Sequence, residues 1–303
     1  MSQSPVLVLR GTGTQGRAVI QHLRKNNIPA RAYVSNSKDE RALAVRELGA
    51  ELFEGTLDNL KALQDAMTGC VGLFLNQMPS IRDDTEVRQA RAIIELARNV
   101  GVKHVVHSTS LGVPRAEELR QSGSIVAAAV VGKAHVEELV KAAGFEYWTI
   151  IRGGYFMSNF VGHLSRSMFP ELWKEHKFVC SFKPDTLLPL VDPYDIGAFV
   201  TAAFSHPTKF TGKIIPLSKE NIRVDQVVKD LEHASGERIE GVYRTEAETA
   251  ELAKTNPMVS GAKELAELYK LADSEAAQGW GIVLHSLPQF LEREKSQFDG
   301  SFA

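Results

Sequence analysis

The 303 residues include 44% hydrophobic side chains, and 35 basic against 37 acidic residues leave a formal charge of −2. That size allows one large core with a smaller appendage, while the near-neutral balance supplies no field for nucleic acid or an anionic membrane. Only two cysteines are present, Cys70 and Cys180, which fits a reducing compartment and excludes a disulfide framework or a cysteine-rich metal site. No apolar run approaches the roughly 18 residues of a membrane span, and no basic, apolar leader precedes the first strand pattern, so a cytoplasmic location is expected.

In chain order, Val6-Leu7-Val8-Leu9 predicts a strand buried on both faces, and Ala18, Val19, Ile20 and Leu23 open an amphipathic helix. Between them lies Gly11-Thr12-Gly13-Thr14-Gln15-Gly16, a G-x-G-x-x-G turn in the strand–turn–helix setting of a dinucleotide site. Glycines let a tight backbone turn offer bare N–H groups to a pyrophosphate, although the same glycines would also serve a plain βα turn without a ligand.

Ala30–Val34 reads as the second strand, Asp39–Leu48 as a helix ended by Gly49, Glu51–Glu54 as the third strand and Leu60–Met67 as a helix. Val71–Leu75 is a fourth strand of the fully buried kind. The helix expected over Thr85–Val100 places Val87, Ala90, Ile93, Ile94 and Ala97 on one face, and Gly101 stops it. His104–Ser108, a helix over Lys133–Ala143 and strand Tyr147–Ile151 complete the alternation. Recurring βα units imply an α/β fold, a Rossmann-type doubly wound parallel sheet, with ligands outside the carboxyl ends of its strands.

From Gly153 the rhythm shortens: an element over Asn159–Phe169, an aromatic stretch around Trp173 and Phe178, and the helix Ile196–Phe204. Strand Lys213–Pro216, helix Val224–Ala234 and strand Ile239–Tyr243 follow. The expected organisation is a nucleotide-binding domain over residues 1–152 and a smaller C-terminal substrate lobe over 153–303, interleaved with the main sheet. No repeat or low-complexity tract is visible.

Thr12-Gly13-Thr14-Gln15-Gly16, Gly101 through Ser108, Lys133 with Val136-Glu137-Glu138-Leu139, Ile151 through Phe160, and Val191 through Gly197 occur in the order of one family. The chain resembles the NmrA-like atypical short-chain dehydrogenase/reductases, relatives of the isoflavone reductases. The resemblance implies a Rossmann fold, NADP(H), and either reduction of a small carbonyl, imine or activated alkene, or a regulatory role without turnover. It spans nearly the whole length.

Three departures stand out. Arg10 occupies a position where the family usually has the first glycine of the turn, and it either adds a cation beside the pyrophosphate or crowds the turn. Ser35 stands where an arginine often meets the ribose 2′-phosphate, and no acid is present there to favour NAD. Ser35, Asn36, Ser37, Lys38 and Arg41 are then the candidate phosphate cradle, which favours NADP. Thr56 replaces an acid often found after the third strand.

For chemistry, the tyrosine that standard short-chain reductases carry four residues before the lysine is missing, because position 129 is Ala129. Lys133 is the first candidate to hold the nicotinamide ribose or relay a proton, with Ser108 and Tyr155 as further catalytic candidates. The plainer readings are a solvated helix lysine, a strand-end cap and a core aromatic. Asn76 and Gln77 are expected to line the cofactor floor, and Gly154, Tyr155 and Phe156 the nicotinamide side; Asp192 and Asp195 read as caps of the following helix. Phe156, Phe160, Met168, Phe169 and Trp173 would shape either an apolar pocket or the core of the lobe.

No metal is expected, since the nine histidines match no ligand spacing, and no serine-hydrolase elbow occurs. The alternatives to an NADPH-dependent reductase of a small, mostly apolar metabolite are an NADP(H)-sensing regulator and a redox-neutral enzyme. A homodimer or a regulatory protein partner would suit these readings, and direct nucleic-acid contact would not.

Overall fold

The computed structural model describes residues 4–299. Its central sheet has seven strands in the order β10-β6-β5-β4-β1-β2-β3. They are β1 (Val6–Val8), β2 (Ala30–Val34), β3 (Glu51–Glu54), β4 (Gly72–Leu75), β5 (His104–Ser110), β6 (Tyr147–Gly153) and β10 (Lys213–Leu217). β1 pairs in parallel with β2 and β4, β2 with β3, and β4 with β5. The order reverses between β1 and β4, which is the switch point where doubly wound sheets bind their ligands.

Helices α1 (Thr14–Lys25), α2 (Glu40–Glu47), α3 (Leu60–Met67) and α4 (Thr85–Asn99) join the first five strands. A four-residue turn, α5 (Ala116–Leu119), precedes α6 (Ile125–Ala142). Strands β1 and β4 are buried along their whole length, which explains their unbroken aliphatic runs. Leu7, Leu9, Leu73, Leu75 and Val105 pack with Ala90, Ile93 and Ala97 of α4 and Val136 and Val140 of α6. Each such aliphatic side chain contributes about 1.5–3 kcal/mol by leaving water.

Two compact units emerge. The first comprises residues 4–117, 128–152 and 193–215; the second comprises 118–127, 153–192 and 216–299. The chain returns to the first unit over residues 193–215, which include α9 (Pro193–Ser205). That helix lies close against α1: a Cβ at Gly197 would sit 2.6 Å from the Ala18 carbonyl oxygen.

The second unit holds β7 (Tyr155–Phe156), β8 (Lys177–Cys180), β9 (Leu187–Val191), β11 (Glu220–Arg223) and β12 (Glu240–Tyr243), with α11 (Val224–Ser235) and shorter helices. β9 lies between β11 and β7, and β12 pairs with β8. Its core is aromatic, with Phe160, Phe169, Phe178, Phe290 and Phe298 buried among aliphatics of α11.

The short β7, β9 and β11 are not evident in the sequence pattern. α6 also begins at Ile125, eight residues ahead of the expected start at Lys133, because the apolar, alanine-rich run before Gly132 is itself helical. Among the described residues no helix is long and apolar enough to cross a membrane.

Candidate functional site

The turn after β1 is built around one carbonyl. Arg10 is left-handed, with φ +52°, and its carbonyl oxygen accepts the Gly13 N–H at 2.9 Å. A Cβ at Gly16 would lie 2.3 Å from that oxygen, and one at Gly11 would lie 2.7 Å from Cβ of Ala32. Those two glycines are therefore demanded by the protein's own packing, as in a ligand-free turn. The left-handed backbone also explains why a glycine suits position 10: any other L-residue there carries a steric cost.

What the turn offers a ligand is the start of α1. Gly13 is its N-cap and supplies no side-chain acceptor, and the first turn contains no acidic residue. The free N–H groups and the positive end of the helix dipole thus remain uncompensated within that turn. Thr14 is exposed, and Thr12, Gly13 and Gln15 are partly so. Arg10 is half-buried beside them, and burial lowers its pKa.

At the end of β5, the buried Ser108 hydroxyl donates to Oε1 of Gln15 at 2.5 Å, tying this strand end to the glycine turn. The neighbouring His107 is fully buried, with Nδ1 2.9 Å from the Leu75 carbonyl oxygen and Nε2 without a partner. Burial, then the charge of Lys133, push its pKa down to about 3. His107 is accordingly neutral, with the proton on Nδ1 and a bare acceptor at Nε2.

Lys133 is only 8% exposed. Its ammonium donates to the Gln77 carbonyl at 2.9 Å and lies 2.5 Å from Oε1 of Glu86. Glu86, 1% exposed, comes from the first turn of α4. Its backbone N–H donates to Ser80 Oγ at 2.8 Å, and the Ser80 N–H points at its Oε2 from 3.4 Å. The buried Gln77 donates through Nε2 to the Glu86 carbonyl, while its own Oε1 has no partner. Asn76 is likewise buried.

A Cβ at Gly132 would approach Oε2 of Glu86 to 3.0 Å, so the missing side chain lets the carboxylate lie against α6. Burial lowers the Lys133 pKa, and the Glu86 carboxylate pulls the other way, with the Arg10 cation adding to the lowering. Three charged groups, Arg10, Lys133 and Glu86, thus act on one another at the switch point.

One turn along α6, Glu137 is fully buried. Its oxygens accept from Nε and Nη2 of Arg152 at 2.9 and 2.6 Å and from Thr109 Oγ1 at 2.7 Å. This bidentate pair braces β5 and β6 on either side of the Ser108 strand end.

On the adenine side, Ser35, Asn36 and Lys38 are exposed. The Ser37 N–H and hydroxyl both donate to Oε2 of Glu54, at 2.9 and 2.6 Å, and hold that carboxyl below its usual range. Asn36 Oδ1 accepts the Lys38 N–H, and Arg41 is paired with Asp39, the N-cap of α2. These candidate residues therefore lie beside a carboxylate that the Ser37 hydroxyl already serves.

Within the second unit, the Gly154 N–H donates to the Leu217 carbonyl and Phe156 is half-buried. Tyr155 packs against Phe160 and Phe182 at 5.7 and 6.2 Å between ring centroids. Burial raises its pKa, and Asn159 takes up its hydroxyl. Such a phenol is held neutral in an apolar cluster, the surroundings of a packing residue. Asp192, at the head of α9, is held by Arg293 through two hydrogen bonds of 2.7 and 2.9 Å.

Residues 2–296 match the family described as NmrA-like. The chain belongs to the NmrA-like family. It is 27% identical over 77% of its length, and 73% of the relative's, to an NmrA-like oxidoreductase, malD, of Malbranchea aurantiaca. It is 26% identical to an NAD(P)H azoreductase of Xenophilus azovorans, over 97% of this chain and 95% of the relative. Among solved structures, the triphenylmethane reductase of Citrobacter sp. superposes with a TM-score of 0.73 at 20% identity, covering 96% of this chain and 98% of that one. The Rossmann-type α/β fold is shared.

Two residues of this NmrA-like site escape a reading of the sequence. Glu86 lies four, seven and eleven positions before Ala90, Ile93 and Ala97, so it stands on the buried stripe of α4. An acid on an apolar stripe is the signal that it pairs with a buried cation. Glu54 shows no such pattern, because its role follows from β3 lying beside β2 in register, Val34 opposite Glu54.

Proposed function

We propose that the protein is an NADPH-dependent reductase of a small, mostly apolar metabolite. The observation that carries this reading is the buried Lys133–Glu86 pair at the switch point of the sheet. A charged pair inside a core stabilises little compared with apolar packing, and perturbed, buried charges concentrate where a site uses them.

The residues present fit a dinucleotide. Gly11, Thr12, Gly13, Thr14, Gln15 and Gly16 would hold its diphosphate at the uncapped start of α1, with Arg10 as the neighbouring cation. Ser35, Asn36 and Lys38 would face the ribose phosphate, and Asn76, Gln77, Ser108 and Lys133 the nicotinamide half. Bound NADPH would supply the hydride. Lys133 then orients the ribose and steadies charge on the substrate, while neutral His107 and the Ser108–Gln15 bond hold the strand ends in place.

The loop that carries Gln77 and Ser80 supports an apolar substrate. Its Met78 and Ile81 are 62% and 44% exposed, large apolar side chains on the segment that positions Lys133 and Glu86. The similarity to an NAD(P)H azoreductase and to a reductase of triphenylmethane dyes supports the same reading.

Calorimetric titration with NADPH, NADP+, NADH and NAD+ in parallel tests the reading. Micromolar binding of the phosphorylated pair, followed by NADPH consumption with an azo, triphenylmethane or quinone acceptor, is expected. Absence of binding by all four would overturn it, and tight binding with no acceptor reduced would turn it to a dinucleotide sensor.

A further inference from the structure

The pair formed by Lys133 and Glu86 is asymmetric in a way that points to its working part. The lysine is held by the Gln77 backbone carbonyl and by Glu86. Glu86 is held by its backbone and one carboxylate oxygen: its own N–H on Ser80 Oγ, its carbonyl on Gln77 Nε2, its Oε2 near the Ser80 N–H, with Gly132 leaving room for it. We propose that Glu86 is a positioning residue that sets both the place and the charge of the Lys133 ammonium. The dinucleotide site would then present a lysine–glutamate unit, with Gly132 and Ser80 as its supports.

The groups facing Lys133 are few. Glu86 from α4 favours the charged form, Arg10 from the glycine turn disfavours it, and His107 from β5 is neutral. Removing the carboxylate therefore leaves an ammonium that burial and Arg10 both push towards losing its proton. A neutral amine cannot present a positive charge to a ribose or a developing oxyanion, so the functional consequence follows from electrostatics alone.

That consequence rests on the reading that Lys133 faces a bound dinucleotide, but the pair can be tested without one. In the cofactor-free protein labelled with ε-13C lysine, the Lys133 resonance, assigned by its absence from Lys133→Met, is followed through a pH titration. Glu86→Gln keeps the shape and removes the charge; the midpoint should fall by about 1–3 pH units. Glu86→Asp should restore part of the shift.

At a pH between the Lys133 midpoints of the two proteins, the NADPH dissociation constant of Glu86→Gln should rise by about tenfold. An unchanged Lys133 midpoint in Glu86→Gln would overturn the proposal. If Glu86→Gln does not fold, the double variant Glu86→Gln/Lys133→Met becomes the test. It should fold, since no buried charge is left alone, and a double variant as unfolded as the single one would overturn the proposal too. A shifted midpoint in a protein that binds no dinucleotide would uphold the pair and remove the reductase reading instead.

Discussion

Helix α6 carries two buried ion pairs one turn apart, and they differ in how completely they are satisfied. Glu137 is closed: both oxygens are taken by Arg152, with Thr109 added, and the pair locks β5 to β6. Lys133 and Glu86 are open: beside them Gln77 Oε1 and His107 Nε2 are buried acceptors without partners, and Arg10 adds a second cation. Buried polar atoms are normally satisfied, so the two pairs differ in how far their surroundings are met: the first is complete within the protein, and the second has Gln77 Oε1 and His107 Nε2 unpartnered beside it.

The largest effect should come from breaking the closed pair. Arg152→Ala leaves the Glu137 carboxylate uncompensated in the core, and loss of about 3–5 kcal/mol in urea denaturation is expected. Activity per folded molecule should stay within a few-fold of wild type. Lys133→Met leaves the Glu86 carboxylate alone in the same way and should also destabilise, but it should in addition lower turnover about 100-fold per folded molecule. If Arg152→Ala instead abolished turnover in folded protein, the division between the two pairs would fail.

A smaller effect separates them by pH. His107 has a folded pKa of about 3, depressed first by burial and then by Lys133; unfolded, it titrates near 6.5. Its neutral form is therefore compatible with the fold above about pH 6.5, and stability falls as the unfolded chain takes up the proton between that pH and about 3. His104, at about 4 through burial between Tyr147 and Phe204, adds to the same slope. Lys133→Met removes the charge facing His107, raises its folded pKa and should flatten the acid loss of stability at the lower end of that window. Equal slopes in the two proteins would mean that the charge of Lys133 does not reach His107.

Much of this was legible in advance, for reasons that can be named. Buried parallel strands write themselves as aliphatic runs, so β1 and β4 stand out, and the glycine turn is fixed by the atoms that crowd Gly11 and Gly16. Lys133 was marked by its place in a family motif. Glu86 was hidden because its partner lies 47 positions away, and only the register of α4 betrays it. The strands of the second unit, β7, β9 and β11, are two to five residues long and draw their apolar faces from an aromatic core that leaves no regular alternation. Tyr155 reads more readily as core than as a surrogate acid, and its ring contacts lie among the phenylalanines.

Arg10 offers the finest comparison, because it adjoins the open pair from the glycine turn. Its left-handed backbone costs about 1–2 kcal/mol, part of which a glycine would lose again through greater freedom of the unfolded chain. Arg10→Gly should therefore be more stable by on the order of 0.5–1 kcal/mol. It should also let Lys133 titrate at higher pH, since the nearer cation is gone. If the guanidinium serves the diphosphate, NADPH affinity should drop by about tenfold, the value of one charge-assisted hydrogen bond. A gain in stability together with loss of affinity would mean that the strain is retained for binding; a gain with unchanged affinity would mean that Arg10 only crowds the turn, and that the start of α1 and Lys133 hold the cofactor without it.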